Sequence, residues 1–275
     1  MLVLASAAST AVVLQAADAR ELSGASSDVP APSFSNNGSV YGIEPWTDGI
    51  ILGATMTSWL VLSVAGPSWV TPHCPCDPAQ VPSFDRVALH WNSQAAAVAS
   101  NVTEVLALLA PVGVDLVDVG LGQAFLEDMV VYAEVLSISG TVNEAAKYGV
   151  LRPRPFVYGS TSPAVLQSPA SYTSFFSGHA TVTFGALTTL AMTETLRHGL
   201  QVWPWLLMSL VGTSVAVERV LAGQHFPSDV IVGAAVGVGT GVLVPLLHRR
   251  ETAAEPRLNV VFHSGGAGLE LSGDW

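Results

Sequence analysis

Residues 219–229 read Arg219-Val-Leu-Ala-Gly-Gln-His225-Phe-Pro-Ser-Asp229 and separate two segments, 199–217 and 230–247, that contain no charged residue. Uncharged apolar runs of about 20 residues have the length of a membrane-spanning helix. Ionisable side chains at the ends of such helices are energetically costly and mark candidate functional sites. This stretch therefore predicts two membrane helices joined by a turn that carries a histidine and, four residues later, an aspartate.

The composition of the whole chain supports a membrane protein. Of its 275 residues, 50% are hydrophobic and only 11% are charged, and the mean hydropathy is +0.48. A soluble domain has about a quarter of its residues charged. The net charge of −11 argues against nucleic acid as a partner, because phosphate backbones are bound by lysine and arginine.

The chain divides into four predicted parts. Residues 1–19 are apolar and predict a signal peptide or an N-terminal apolar segment, and residues 20–45 predict a flexible segment. Residues 46–250 predict one domain, a bundle of about six transmembrane helices. Residues 251–275 predict a tail with a short β-hairpin. The predicted fold class is therefore all-α, with a C-terminal hairpin.

The arginines predict how the bundle lies in the membrane. Arg197 lies between two apolar segments, and Arg249 and Arg250 follow the last one. Because positive residues favour the cytoplasmic side, the opposite ends, near 147–178 and 218–229, are expected to face outward. If residues 1–19 were a cleaved signal peptide, the new N-terminus would lie outside. Six further membrane-crossing segments would then invert this orientation. Either the N-terminal segment is retained, or one of the early segments does not cross.

A second polar stretch concentrates positive charge. Lys147 is the only lysine of the chain, and Arg152 and Arg154 follow within eight residues, before Pro155. An ammonium group and planar guanidinium groups on a stiff turn suit a phosphate dianion. The alternative is a basic anchor that reaches the lipid headgroups.

A third stretch opens an apolar helix. Ser177 is a good N-cap, Gly178 permits close approach of the backbone, and His179 lies in the first turn. The N-terminus of a helix attracts anions. Taken alone, His179 can be purely structural, and His225 with Asp229 can be a capping pair at a helix entrance.

Together, the three stretches resemble the signature of the type-2 phosphatidic acid phosphatase superfamily, which also includes vanadium-dependent haloperoxidases. The family pattern is Lys-x6-Arg-Pro, then Pro-Ser-Gly-His, then Ser-Arg-x5-His-x3-Asp. Two positions depart from the pattern, since Phe176 replaces the proline and Glu218 replaces the second serine. The matching residues are Lys147, Arg154, Pro155, Ser177, Gly178, His179, Arg219, His225 and Asp229.

The resemblance implies a role for each matching residue. His225 is expected to attack phosphorus and form a phosphohistidine, with Asp229 orienting it. His179 is expected to protonate the leaving oxygen and later to activate water. No cofactor and no metal ion are expected. The phosphate oxygens are expected to be held by Lys147, Arg154, Arg219 and the backbone N–H groups of Ser177 and Gly178.

The resemblance also implies the substrate class. We expect a phosphorylated lipid or a polyprenyl diphosphate, a bacterial-type inner membrane, and a site that faces the periplasm or the exterior. Three alternatives remain: a vanadium-dependent haloperoxidase, a non-catalytic protein that binds anionic lipid, and transfer of the phosphate to an alcohol instead of water. The oligomeric state and the precise substrate are left open.

The two cysteines, Cys74 and Cys76, are separated by one residue. A disulfide across so short a gap is expected to be strained, and two thiolates alone make an incomplete metal site. The sequence therefore favours free or loosely paired thiols in an irregular, proline-rich loop.

Overall fold

A computed structural model describes residues 38–250 in full and the backbone of residues 257–263 and 266–272. The predicted signal peptide or apolar segment at 1–19 lies outside the described residues, as do residues 20–37 of the predicted flexible segment.

Residues 38–250 form an all-helical body with seven α-helices. The sequence prediction of about six was wrong because it missed the four-residue helix Pro163–Leu166, which is too short to show a hydrophobic period. Short 3-10 turns occupy the loops at Gly66–Trp69, Pro78–Gln80, Arg86–His90, Pro155–Val157 and Pro169–Tyr172. The α-helices are α1 (Pro45–Ala65), α2 (Gln94–Val119), α3 (Gln123–Val150), α4 (Pro163–Leu166), α5 (Gly178–His198), α6 (Val202–Leu221) and α7 (Pro227–His248).

Helix α5 is the centre of the bundle. It packs against α2, α3, α6 and α7, and most of its residues are buried. The closest of these contacts is with α7, where glycines face α5. A Cβ atom at Gly233 would lie 2.6 Å from the Ser177 carbonyl oxygen, and one at Gly241 would lie 2.7 Å from Thr188 Cβ. Glycine therefore lets the two backbones approach, as small residues do in membrane helix pairs.

The outer helices are apolar toward the surroundings. Three helical segments are long and apolar enough to cross a membrane: Pro45–Trp69, Val202–Leu221 and Pro227–His248. Large hydrophobic side chains such as Leu60 of α1 and Leu210 of α6 are exposed. An exposed apolar surface of this kind suits lipid tails rather than water.

The six long helices run between two ends of the bundle. One end, here called the loop end, consists of loops 66–93, 151–177 and 222–226. The other, the arginine end, contains Arg197 and Arg250. At the loop end the Ser93 N–H donates to the Leu221 carbonyl at 3.0 Å, and at the arginine end the Gly42 N–H donates to the His248 carbonyl at 2.7 Å. Residues 38–44 and 249–250 therefore lie at the same end.

A buried ionic cluster ties three helices together at the arginine end. The Arg197 Nη1 of α5 lies 2.9 Å from Asp115 Oδ1 and 3.1 Å from Asp118 Oδ2 of α2, and Nη2 pairs with Asp128 of α3. Arg197, Asp115 and Asp128 are almost completely buried. Buried charges are tolerated only when paired in this way.

The prediction of free or loosely paired thiols was wrong, because Cys74 and Cys76 form a disulfide. Their Cα atoms are 4.6 Å apart, within the usual range of disulfides, about 4.4–6.8 Å. Around them the chain has no helix or strand, so it can bend enough to bring the two sulfur atoms together. The Cys74 N–H also donates to the Tyr172 hydroxyl at 3.3 Å, which links this loop to the turn before α5.

In the tail, β1 (Arg257–His263) and β2 (Gly266–Ser272) pair antiparallel, with Val260 opposite Leu269. A two-stranded hairpin alone is marginally stable in water. Among the described residues these two strands form a two-stranded sheet of their own, and the body at residues 38–250 is all-helical.

Candidate active site

His225 lies in the turn between α6 and α7 at the loop end, and it is almost fully buried. Its Nδ1 lies 2.7 Å from the Ser174 carbonyl oxygen. A carbonyl only accepts hydrogen bonds, so Nδ1 carries the hydrogen and Nε2 keeps its lone pair. Burial first, then the charges of Arg154 and Arg219, hold the pKa of His225 well below its ordinary value. The imidazole is therefore neutral and has one ring nitrogen free to act as a nucleophile.

Asp229 does not contact the His225 ring as closely as the resemblance implies. Its Oδ2 is 4.0 Å from His225 Nδ1. That oxygen instead accepts hydrogen bonds from the Ser174 hydroxyl at 2.5 Å and from the Phe226 N–H at 2.9 Å. Asp229 therefore fixes the residue whose carbonyl holds the ring and the residue that follows the ring, so it positions His225 indirectly.

Arg152, which lies outside the family pattern, is a central residue of this support. Its Nη1 pairs with Asp229 and donates to Ser228 Oγ at 2.8 Å, and its Nη2 lies 2.7 Å from Asp85 Oδ2. The guanidinium group also stacks on the Phe226 ring at 4.1 Å from the ring centre. Burial alone would raise the pKa of Asp85, but hydrogen bonds from Arg152 and Ser228 outweigh it and lower that pKa.

Two arginines of the predicted site present buried hydrogen-bond donors. Arg154 Nη1 donates to Gln224 Oε1 at 2.5 Å, and Arg219 Nη1 donates to Ser100 Oγ at 3.2 Å. The Nε atoms of Arg154 and Arg219 are buried and have no hydrogen-bond partner among the described residues. Unsatisfied buried donors are costly, and an anion between the two side chains would satisfy them. Burial, followed by the charge of Arg219, lowers the pKa of Arg154 to about 10.

Lys147 completes the cluster of cations. Its Nζ lies 2.7 Å from Glu144 Oε1, one turn back on α3. Burial lowers the pKa of Lys147 and Glu144 opposes this shift, while the charges of Arg154 and Arg219 lower the pKa further. The charges of Arg154 and Arg219 thus act on Lys147, and the charge of Arg219 acts on Arg154. An anion is the natural partner for such a group.

The turn before α5 agrees with the predicted N-cap role of Ser177 but not with the predicted phosphate contact of its backbone N–H. Ser177 Oγ accepts from the Ala180 N–H at 3.4 Å, so Ser177 is the N-cap. The Ser177 N–H, however, donates to the Asp229 carbonyl at 3.1 Å and is not free for phosphate. A Cβ atom at Gly178 would lie 2.9 Å from Asn143 Oδ1 and 3.5 Å from Lys147 Nζ. Gly178 therefore leaves room for these side chains.

His179 lies in the first turn of α5, and its side chain is partly exposed. Its Nε2 is 2.8 Å from Asn101 Oδ1 and 3.1 Å from Glu104 Oε2, both on α2. Burial lowers the pKa of His179 to about 3, helped by the charges of Arg219 and Lys147 among others. In the free protein, His179 is therefore a neutral imidazole at physiological pH.

The two departures from the family pattern lie in different surroundings. Phe176 is buried, and its carbonyl accepts a hydrogen bond from Asn143 Nδ2 at 2.7 Å. Glu218 Oε2 is buried without a hydrogen-bond partner in the described part of the chain. Phe176 thus takes part in fixing the turn, whereas nothing in the structure explains Glu218.

Sequence reasoning missed several residues of the site. Asn143 could have been found, since it precedes Lys147 by four residues and so shares its helix face. Gln224 lies inside the third motif, at a position that the family pattern leaves variable, and the others carry no local signal because they lie outside the three motifs. The missed residues are Asp85, Ser100, Asn101, Glu104, Asn143, Ser174 and Gln224.

The fold and the site define a helical protein with a buried histidine among cations at the end of apolar helices. Residues 128–253 match the PAP2 superfamily model. This range contains all three motifs, so the resemblance of these motifs to the type-2 phosphatidic acid phosphatase superfamily is confirmed.

Two individual proteins are similar to this chain. An undecaprenyl-diphosphatase of Sulfolobus acidocaldarius is 31% identical over 100 residues, which are 36% of this chain and 45% of that protein. The match therefore spans less than half the length of that relative. The crystal structure of Aquifex aeolicus LpxE aligns with a TM-score of 0.40 and 22% identity, covering 58% of this chain and 90% of that chain.

Proposed function

We propose that this protein is a metal-independent phosphatase that hydrolyses a phosphate monoester or diphosphate of a lipid through a phosphohistidine at His225. The observation that carries the proposal is the state of His225. Its Nδ1–H is held by the Ser174 carbonyl at 2.7 Å, which leaves Nε2 unprotonated, and the charges of Arg154, Arg219 and Lys147 act on the ring. A neutral nucleophile next to cations suits attack on a phosphate group.

The proposed reaction has two halves. First, Nε2 of His225 bonds to phosphorus, the bond to the leaving oxygen breaks, and His179 gives that oxygen a proton. Then water bonds to phosphorus, the bond to His225 breaks, and His179 takes the proton from water. Charge spread over the phosphoryl oxygens is stabilised by Lys147, Arg154 and Arg219.

The membrane setting supports a lipid substrate. The site lies at the loop end of a bundle whose outer helices present apolar side chains. A lipid can keep its chain among these helices while its headgroup reaches the cations. The undecaprenyl-diphosphatase relative is named for a polyprenyl diphosphate, which supports this substrate class.

Two observations support an outward-facing loop end. Arg197 and Arg250 lie at the opposite end, as expected for the cytoplasmic side. The disulfide between Cys74 and Cys76 lies at the loop end, and disulfides form in oxidising compartments outside the cytoplasm. The proposed location is therefore an inner membrane, with the site facing the periplasm or the exterior.

The test is phosphate release by the detergent-solubilised protein from phosphatidic acid and undecaprenyl diphosphate, with a chelator present. We expect His225→Ala to abolish release, and the wild type to accumulate acid-labile phosphohistidine when quenched early. His90→Ala is the matched control, because His90 is exposed at the same end of the bundle. Unchanged release by a folded His225→Ala protein would refute the proposal. Bromide oxidation with added vanadate, without phosphate release, would favour the haloperoxidase alternative.

A further inference from the structure

Helix α2 brings an acidic side chain into the site from outside the three motifs. Glu104 Oε2 lies 3.1 Å from His179 Nε2, and Asn101, one turn earlier on α2, lies 2.8 Å from the same nitrogen. The side chains of His179 and Glu104 are both only partly exposed. Nε2 of His179 therefore contacts side chains of α2, and Nδ1 is the ring nitrogen left to contact a substrate.

The surroundings of His179 make a charged imidazole unfavourable. Burial and the nearby cations lower its pKa to about 3, so a stable imidazolium is scarcely populated at neutral pH. An alkoxide leaving group nevertheless needs a proton. The site therefore requires a way to deliver a proton through His179 without leaving a lasting positive charge on the ring.

Glu104 is suited to supply that proton. Burial raises its pKa to about 7, against the opposing charges of Arg219 and Lys147. The groups that face it come from each neighbouring helix: His179 from α5, Arg219 from α6 and Lys147 from α3. At neutral pH its carboxyl group is thus protonated in a substantial fraction of molecules.

We propose that Glu104 gives a proton to His179 and later takes it back, so that the two side chains act as a proton relay through the imidazole ring. This inference rests on the proposed phosphatase function. Glu104 acts through His179 and does not itself touch the substrate, so it is a positioning residue.

Over one catalytic cycle, His179 and Glu104 regain every proton that they give up. In the first half, His179 gives its Nδ1 proton to the leaving oxygen while the Glu104 carboxylic acid gives its proton to Nε2. The ring ends neutral, with its hydrogen on Nε2, and Glu104 ends as a carboxylate. In the second half, Nδ1 takes a proton from the attacking water and Nε2 returns its proton to Glu104. The Asn101 amide can accept a hydrogen bond or, turned over, donate one, so it can hold the ring in both states.

The test is Glu104→Gln, which preserves the size of the side chain and removes the transferable proton. Dioctanoyl phosphatidic acid has a poor leaving group, whereas the nitrophenolate of p-nitrophenyl phosphate leaves without protonation. In single turnovers, we expect the variant to release the lipid alcohol about 100-fold more slowly, the scale of general acid catalysis. Release of nitrophenolate should change by only a few-fold, on the same argument.

The pH profile provides the second readout. Because the protonated form of Glu104 starts the relay, kcat/KM of the wild type on the lipid should fall as pH rises through about 7. The fall should be absent in Glu104→Gln and kept in Glu104→Asp, which retains a carboxylic acid. Glu44→Gln, the same change at an exposed glutamate of the arginine end, should leave both readouts unchanged.

The outcomes separate this inference from the proposed function. Equal losses on both substrates with an unchanged pH profile would show that Glu104 is only structural and would overturn the relay. Wild-type rates in Glu104→Gln would overturn it as well. Neither result touches the role of His225. Full activity of His225→Ala, in contrast, would overturn the proposed function and the relay together.

Discussion

At the residue scale, the nucleophile is held mainly by the backbone. The carbonyl of Ser174 sets which nitrogen of His225 carries the hydrogen, and Asp229 secures that arrangement from 4.0 Å away. Arg152 joins Asp229 to Asp85 and Ser228. The loop at residues 66–93 is thereby connected to the catalytic turn through one guanidinium group.

Arg152→Lys is expected to reduce phosphate release because an ammonium group is a point charge and cannot bridge Asp85 and Asp229 as a planar fork does. A shift of about 1 Å in a catalytic group can cost up to about 100-fold in rate, so we expect a loss of roughly ten- to 100-fold in kcat. The measurement is steady-state phosphate release. Arg86→Lys is the control, since within residues 38–250 the hydrogen bonds of Arg86 go to backbone carbonyls of its own loop. A wild-type rate in Arg152→Lys would contradict the positioning role.

The residues that sequence reasoning found are those in short motifs. His179, His225 and the three cations could be predicted because their chemistry is unusual at the ends of apolar helices. Glu104 and Asp85 could not be predicted, because an isolated carboxylate gives no sign of its distant partner. The direct contact expected between Asp229 and His225 also depended on side-chain directions that spacing does not determine.

At the scale of the elements, the contact between α5 and α7 sets the position of the site. Helix α5 carries His179 at its start and α7 carries Asp229 in its first turn. A Cβ atom at Gly237 would lie 2.8 Å from the Gly185 backbone nitrogen. Any larger residue there must separate the two helices.

Gly237→Val is therefore expected to destabilise the protein by about 1–3 kcal/mol or more, the usual cost of overpacking. The measurement is the midpoint of thermal unfolding in detergent, together with phosphate release. Gly239→Val is the matched control on the same helix, because a Cβ atom at Gly239 meets nothing within 4 Å. Equal midpoints for the two variants would show that close approach of α5 and α7 is unimportant.

Most long helices were predictable, since hydrophobic runs mark them. The predicted segments 199–217 and 230–247 correspond to Val202–Leu221 and Pro227–His248. The four-residue α4 and the Cys74–Cys76 disulfide were not predictable, because neither depends on a periodic pattern. Both are local consequences of how the loops pack at the loop end.

At the scale of the whole molecule, a buried ionic cluster holds the bundle together at the arginine end, opposite the candidate site. Arg197 pairs with carboxylates of α2 and α3 in the interior. Removing one partner of a buried ionic group leaves uncompensated charges, which costs about 3–5 kcal/mol. The fold thus depends on a cluster that takes no part in the proposed chemistry.

Arg197→Met is expected to lower the free energy of unfolding by about 3–5 kcal/mol, measured by denaturant titration in detergent. Arg197→Lys should recover part of the loss, because it restores the charge but cannot reach all three carboxylates at once. If both variants unfold like the wild type, the cluster does not stabilise the bundle.

The sequence by itself determined the helical class, the membrane character and the residues of the three motifs, because apolar runs and clustered ionisable groups are local properties. Only the tertiary structure decided which side chains meet. It placed α2 beside His179, put Ser174 rather than Asp229 on the His225 ring, and joined Arg152 to Asp85. These contacts link residues that lie far apart in the chain, and their geometry depends on how the helices pack, which no local pattern specifies.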